Sequence, residues 1–133
     1  MNKHLFFIGA LFGLLAVAIG AFGAHGLTDK ITPHRIATFK TGVNYQFYHT
    51  FAIFIAVGLA TYFKKKIFLR AAWFFVMGIL FFSGSLYLLA TQTYLGIESF
   101  AKIIGPITPI GGLLFIIGWG LLAVGAKQIS DNG

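Results

Sequence analysis

Leu5-Phe-Phe-Ile-Gly-Ala-Leu-Phe-Gly-Leu-Leu-Ala-Val-Ala-Ile-Gly-Ala-Phe-Gly-Ala24 contains no charged residue. An α-helix of about 20 such residues, rising ~1.5 Å per residue, spans the ~30 Å hydrocarbon layer of a bilayer. Three more stretches of this kind follow, at about 42–63, 67–90 and 109–126. Arg70 is the one basic residue inside any of them, and it sits near an end, where its charge can snorkel to the interface. The acidic residues Asp29, Glu98 and Asp131 all fall outside. The chain therefore reads as an all-α polytopic membrane protein. It is expected to form a bundle of four transmembrane helices, with residues 1–133 as a single integral membrane domain.

Composition agrees. With 58% hydrophobic and 10% charged residues and a mean hydropathy of +0.87, a water-soluble fold would expose more apolar surface than water tolerates. The net charge of +7 is spread over short loops with no aromatic-interleaved basic stripe, so it points to an anionic lipid surface and not to nucleic acid. The absence of cysteine excludes disulfides, thiolate metal sites and cysteine nucleophiles. The first apolar run is longer than the ~7–15 residues of a signal-peptide core, so it is expected to be a retained helix.

Four spans place the N-terminus, the loop around Lys64-Lys65-Lys66 and the C-terminus on one side. That side carries six basic residues, against four on the other. The positive-inside bias then puts both termini in the cytoplasm of a cell (inner) membrane. On the opposite side, Thr32-Pro33 has the form of a helix start, a capping hydroxyl followed by proline. Ile36, Phe39 and Val43 recur at helical spacing after it. Two readings fit: a short amphipathic helix in the interface, hinged at Gly42, or an early start to the second span.

Small residues trace packing seams. Gly9, Gly13, Ala16, Gly20 and Gly23 repeat at four, three, four and three; Ala71, Gly78 and Ser85 fall seven apart, as do Gly111, Gly118 and Gly125. In lipid, where burial of apolar surface gives no drive between helices, close approach across small side chains is a main route to association. These seams are expected to face other helices.

Four motifs stand out: Gly20-Ala-Phe-Gly-Ala-His-Gly-Leu27, Asn44-Tyr-Gln-Phe-Tyr-His49, Phe82-Ser-Gly-Ser-Leu-Tyr87 and Gly105-Pro-Ile-Thr-Pro-Ile-Gly-Gly112. In these motifs, and in their order, the chain resembles the small bacterial inner-membrane proteins typified by YgdD and YwdK, a domain of unknown function. The resemblance implies a four-helix integral membrane protein and implies no activity.

The same motifs define a candidate polar cluster of His25, Tyr45, Gln46, His49, Ser83, Ser85, Tyr87 and Thr108, expected at one depth in the outer half of the bundle. An imidazole inside a bilayer is costly unless partnered. His49 is thus expected to face the interior about 10 Å below the interface and to bond Tyr45, Ser85 or Tyr87, either as a structural latch or as a functional group. His25 is expected to cap the end of the first helix. Thr108 is expected to cap the fourth.

No intramembrane carboxylate is present to orient a serine–histidine pair, and no ligand cluster forms a metal site. His25 lies too near the surface to share a haem with His49. Proton-coupled exporters of this size rely on an embedded acid, absent here. No enzyme activity, cofactor or metal is expected. The expectation is a structural or accessory membrane protein with lipids as partners, with a lipid or small-molecule site in its outer half, and with self-association or a membrane partner left open. The alternative is a small channel or transporter with a path lined by His49, Ser85 and Thr108.

Overall fold

The computed structural model describes residues 1–130. Four long helices carry it: α1 (Lys3–Gly26), α2 (Pro33–Phe63), α3 (Lys66–Ala90) and α4 (Ile107–Ser130). Each contains a segment long and apolar enough to cross a membrane. Asp131, one of the three acids, lies outside the described residues.

Local chemistry sets the ends. The Asn2 side chain accepts from the Leu5 amide at 3.0 Å and starts α1. Thr32 Oγ1 accepts from the Arg35 amide at 3.3 Å, with Pro33 in the first turn of α2. That helix then runs unbroken for 31 residues. The amphipathic segment around Ile36 and Phe39 is therefore the early start of α2 and not a separate interfacial helix. Gly42 is no hinge: a Cβ there would fall 2.8 Å from Cε1 of Tyr87, so glycine is needed for the close passage of α3. Lys64 turns the chain from α2 into α3 in the left-handed conformation (φ 55°), which also brings positive charge to the C-terminal carbonyls of α2.

α3 contains one π-turn, Ile79–Ser83. No local sequence signal marks it. Between α3 and α4 the chain makes three short helical pieces, Gln92–Leu95, Glu98–Phe100 and Ala101–Ile104. α4 starts at Ile107, two residues before the expected Pro109. Proline is tolerated there because amides of the first turn have no intrahelical partner.

The helices pack in chain order, with α1 on α2, α2 on α3 and α3 on α4. α2 and α3 form the middle, while α1 and α4 flank it with broad apolar faces turned outward, such as Phe7, Leu14, Leu113 and Ile116. The core runs from Leu5 and Phe12 through Ile53 and Val57 to Phe75 and Phe115. A smaller cluster, Leu27, Phe39, Val43 and Ala90, lies toward the end that carries the 27–32 and 91–106 connections, called here the loop face.

The glycine seams face neighbouring helices. On α1, a Cβ at Gly9 would meet Phe54 of α2, one at Gly20 would meet Val43, and one at Gly23 would strike Phe39. Ala16 between them is fully buried. Between α3 and α4 the seam has a partner of opposite size. Phe68, Phe75 and Phe82, seven residues apart on α3, fit against Gly125, Gly118 and Gly111 of the antiparallel α4, and Gly78 of α3 receives Phe115 in the reverse sense. Aromatic side chains seated in glycine notches give the close contact that lipid-embedded helices need.

Candidate functional site

Polar side chains link the helices in rungs. At the first turn of α4, Ser85 Oγ and Thr108 Oγ1 are 2.6 Å apart. Thr108 is the second residue of α4 and serves that bridge, not the expected capping role. Ser83 Oγ donates to the Gly42 carbonyl at 2.6 Å. Ser83 and Ser85 reach α2 and α4 respectively, since residues two apart on a helix point to nearly opposite sides. Tyr87 Oη donates to Gln46 Oε1 at 2.6 Å, and Gln46 Nε2 donates to the Phe12 carbonyl at 2.8 Å, so one glutamine ties α3 to α1 through α2. Every buried side-chain nitrogen or oxygen among the described residues has a partner.

His49 faces the interior and is 4% exposed. It bonds Tyr45, through the carbonyl, and reaches across to α4, where the partner is Trp119 and not Ser85 or Tyr87. Trp119 Nε1 of α4 donates to His49 Nε2 at 3.1 Å, and His49 Nδ1 lies 2.7 Å from the Tyr45 carbonyl. An Nε2 that accepts leaves the proton on Nδ1, so this geometry fixes the neutral tautomer with Nδ1–H donating to Tyr45. Phe115 stacks on the imidazole, with ring centroids 3.5 Å apart and planes 7° from parallel. The Tyr45 ring stacks at 5.9 Å and Phe75 contacts at 5.6 Å.

The candidate residues do not share one depth. Trp119 lies roughly a dozen residues past Ile107, ~18 Å down α4, while Thr108 sits at the start of that helix. His49 is therefore level with the middle of α4, below the other rungs. His25 is exposed in the last turn of α1 and apart from the cluster. The carbonyl of Ala24 is met instead by Thr28 Oγ1 at 2.7 Å.

Because α2 and α4 both lean on α3 and touch each other little, a groove of about 800 Å³ opens between them. Tyr45, Tyr48, Phe82, Leu113 and Ile116 line its walls, and the His49–Trp119 pair closes its deep end. Trp119 and Phe115 are the functional residues that the sequence motifs missed. A signal was present: the Trp119 indole N–H is the only side-chain hydrogen-bonding group between residues 109 and 126, and an indole N–H surrounded by hydrocarbon needs an acceptor.

The sequence profile described as "Protein of unknown function (DUF423)" matches residues 19–112. The chain belongs to the DUF423 family. It is 42% identical over 129 residues to a UPF0382 membrane protein of Staphylococcus epidermidis, covering 96% of this chain and 98% of that one. It is 40% identical over 127 residues to the UPF0382 membrane protein YwdK of Bacillus subtilis, covering 95% and 98%. It is 36% identical over 135 residues to the UPF0382 inner membrane protein YgdD of Escherichia coli, covering 99% and 95%. No solved structure matches the chain. This DUF423 protein is thus an integral membrane protein of a family whose role is uncharacterised. The DUF423 profile takes in Gly42, Gln46, Ser83, Ser85, Tyr87 and Thr108, and leaves out Phe12, Phe115 and Trp119.

Proposed function

We propose that this DUF423 protein is a non-enzymatic accessory component of the membrane, and that its groove between α2 and α4 holds one acyl chain of a membrane lipid. The groove carries the reading. It is open sideways between two helices, and its walls are apolar, so hydrocarbon has direct lateral access. The Tyr45 and Tyr48 hydroxyls have no hydrogen-bond partner among the described residues. Helical side chains lean toward the helix N-terminus, here toward the loop face. A phenol left unpaired in hydrocarbon is costly, and the ester carbonyl of a lipid drawn into the groove supplies an acceptor.

The rungs favour structure over chemistry. Ser85 and Thr108 satisfy each other, both His49 nitrogens are engaged, and Phe115 covers the imidazole. A serine nucleophile needs its hydroxyl against the imidazole. A polar path through His49, Ser85 and Thr108 needs these groups in one continuous row, and here they lie in separate layers.

The test uses the protein in nanodiscs with a phosphatidylcholine bearing a diazirine on its chain. Adducts are expected to concentrate on Tyr48, Leu113 and Ile116, and Leu113→Trp is expected to reduce the Tyr48 adducts severalfold. Adducts spread evenly over Phe7 and Leu14 of α1 as well would overturn the assignment.

The same reading keeps both termini in the cytoplasm, supported by six basic residues on that side against four. Single cysteines at Lys65→Cys and Asp29→Cys are expected to label from opposite sides of sealed vesicles, Asp29→Cys with an impermeant maleimide outside intact cells. Labelling of Lys65→Cys in intact cells reverses the orientation.

A further inference from the structure

Apart from the groove, the loop face carries a polar cleft of about 340 Å³ lined by Asp29, Lys30, Ile31, Thr32, Arg35 and Thr93. Two cations are held at its rim by neutral groups of the Gln92–Leu95 turn. Arg35 Nη1 donates to Thr93 Oγ1 at 2.9 Å. Lys30 Nζ donates to Tyr94 Oη at 3.4 Å and stands 5.3 Å from the centre of that ring. Among the described residues neither cation is paired with a carboxylate, Asp29 included. The tethers position both charges without neutralising them. With Nη1 on Thr93, the guanidinium keeps further N–H groups for an oxyanion, and its planar fork matches phosphate.

Beside this cleft lies an apolar pocket of about 290 Å³ between α1 and the end of α3, with Ile19, Phe22, Leu88 and Leu95 among its walls. The two spaces share no wall residue, and the Lys30–Tyr94 contact relates them. The Tyr94 ring lines the apolar pocket while its hydroxyl holds Lys30. A tethered pair of cations above an apolar pocket, at the end of membrane-spanning helices, is complementary to a molecule with an anionic head and a hydrocarbon tail.

We propose that this composite site binds one anionic phospholipid, with its phosphate on Lys30 and Arg35 and one acyl chain between Phe22 and Leu88. A lipid fits better than free phosphate because Lys30 of the cleft is bonded to Tyr94 of an apolar pocket that an inorganic ion leaves unfilled. An anionic head fits better than a choline head because the two cations outnumber Asp29, the one acid of the cleft, and a second positive group would be repelled.

The experiment is native mass spectrometry and thermal unfolding of the full chain in detergent, with dioleoyl-phosphatidylglycerol or dioleoyl-phosphatidylcholine added. One phosphatidylglycerol is expected to stay bound under conditions that strip phosphatidylcholine. Lys30→Gln with Arg35→Gln is expected to weaken its retention on the order of tenfold, as loss of charge-assisted bonds implies. Leu88→Trp, which fills the pocket and keeps both charges, is expected to weaken it as well. Lys102→Gln, on the same face outside the cleft, is expected to leave it unchanged. If the double variant does not fold, Thr93→Val provides the test: it keeps both charges, frees the guanidinium, and is expected to lower retention in part. Equal retention of the two lipids overturns the site. An effect of Lys102→Gln matching that of the double variant assigns the binding to diffuse surface charge. Indifference to Leu88→Trp, or protection by inorganic phosphate equal to that by the lipid, reduces the site to a simple anion cleft and overturns the lipid assignment.

Discussion

Gly111→Ala is expected to destabilise the protein by roughly 2–3 kcal/mol, the upper part of the range for overpacking. A Cβ at that position falls on the backbone nitrogen and Cα of Phe82. Backbone has no alternative rotamer to adopt, so α3 and α4 must separate or shift along each other. The change would also disturb the Ser85–Thr108 bridge close by. Two glycine-to-alanine controls separate close approach from helix propensity. A Cβ at Gly120 meets nothing within 4 Å, and one at Gly13 meets only Thr50 Cγ2 at 3.6 Å, an ordinary contact. Both are expected to be neutral or slightly stabilising, since alanine exceeds glycine in helix propensity by up to ~1 kcal/mol. Thermal unfolding in detergent, followed by tryptophan fluorescence, measures all three. If Gly111→Ala melts where Gly120→Ala does, contact at Gly111 is not what joins α3 to α4.

The number of helices was legible because the ends of membrane helices are written in charge and capping residues, Lys3, Thr32-Pro33 and Lys64-Lys65-Lys66 among them. The seams were legible because glycine spacing is a local pattern. Their partners were not. Gly111, Gly118 and Gly125 can be read from one helix, but Phe68, Phe75 and Phe82 become their counterparts only once α3 and α4 are known to be neighbours in that register. In a water-soluble protein, burial would select those rings from the 16 phenylalanines. In a bilayer, lipid-facing and core-facing positions are equally apolar, so hydrophobicity marks the span and says nothing of its inner face. Phe75 is fully buried while Phe7 is 67% exposed, and nothing in their neighbouring residues separates them.

The same limit explains His49. Its burial followed from the cost of an imidazole in lipid, and that argument concerns the residue alone. Choosing a partner needs relative depth, and depth was judged from the apolar stretch assigned to α2. Ser85 and Tyr87 looked level with His49 on that scale. They bond elsewhere, to Thr108 and Gln46, which leaves the imidazole to the one polar atom at its own level on α4.

The Trp119–His49 hydrogen bond is a polar link between α2 and α4, and removing either partner strands the other in hydrocarbon. His49→Phe keeps a ring against Phe115 and orphans the indole N–H; Trp119→Phe keeps an aromatic ring and orphans Nε2. Each is expected to cost about 1–2 kcal/mol without abolishing expression, the scale of an unmet buried donor or acceptor. The double variant removes both polar atoms together. It is expected to cost less than the two singles combined, by about 1 kcal/mol, since interhelical hydrogen bonds in membranes average ~0.6 and reach ~1.7 kcal/mol. Unfolding of the four proteins in detergent closes the cycle. Strict additivity would mean that the two side chains act independently and that no latch exists. A coupling of the expected size, with phosphatidylcholine adducts at Tyr48 unchanged in the double variant, separates the latch from the groove it closes: the bond then holds α2 to α4, and the apolar walls alone receive the lipid.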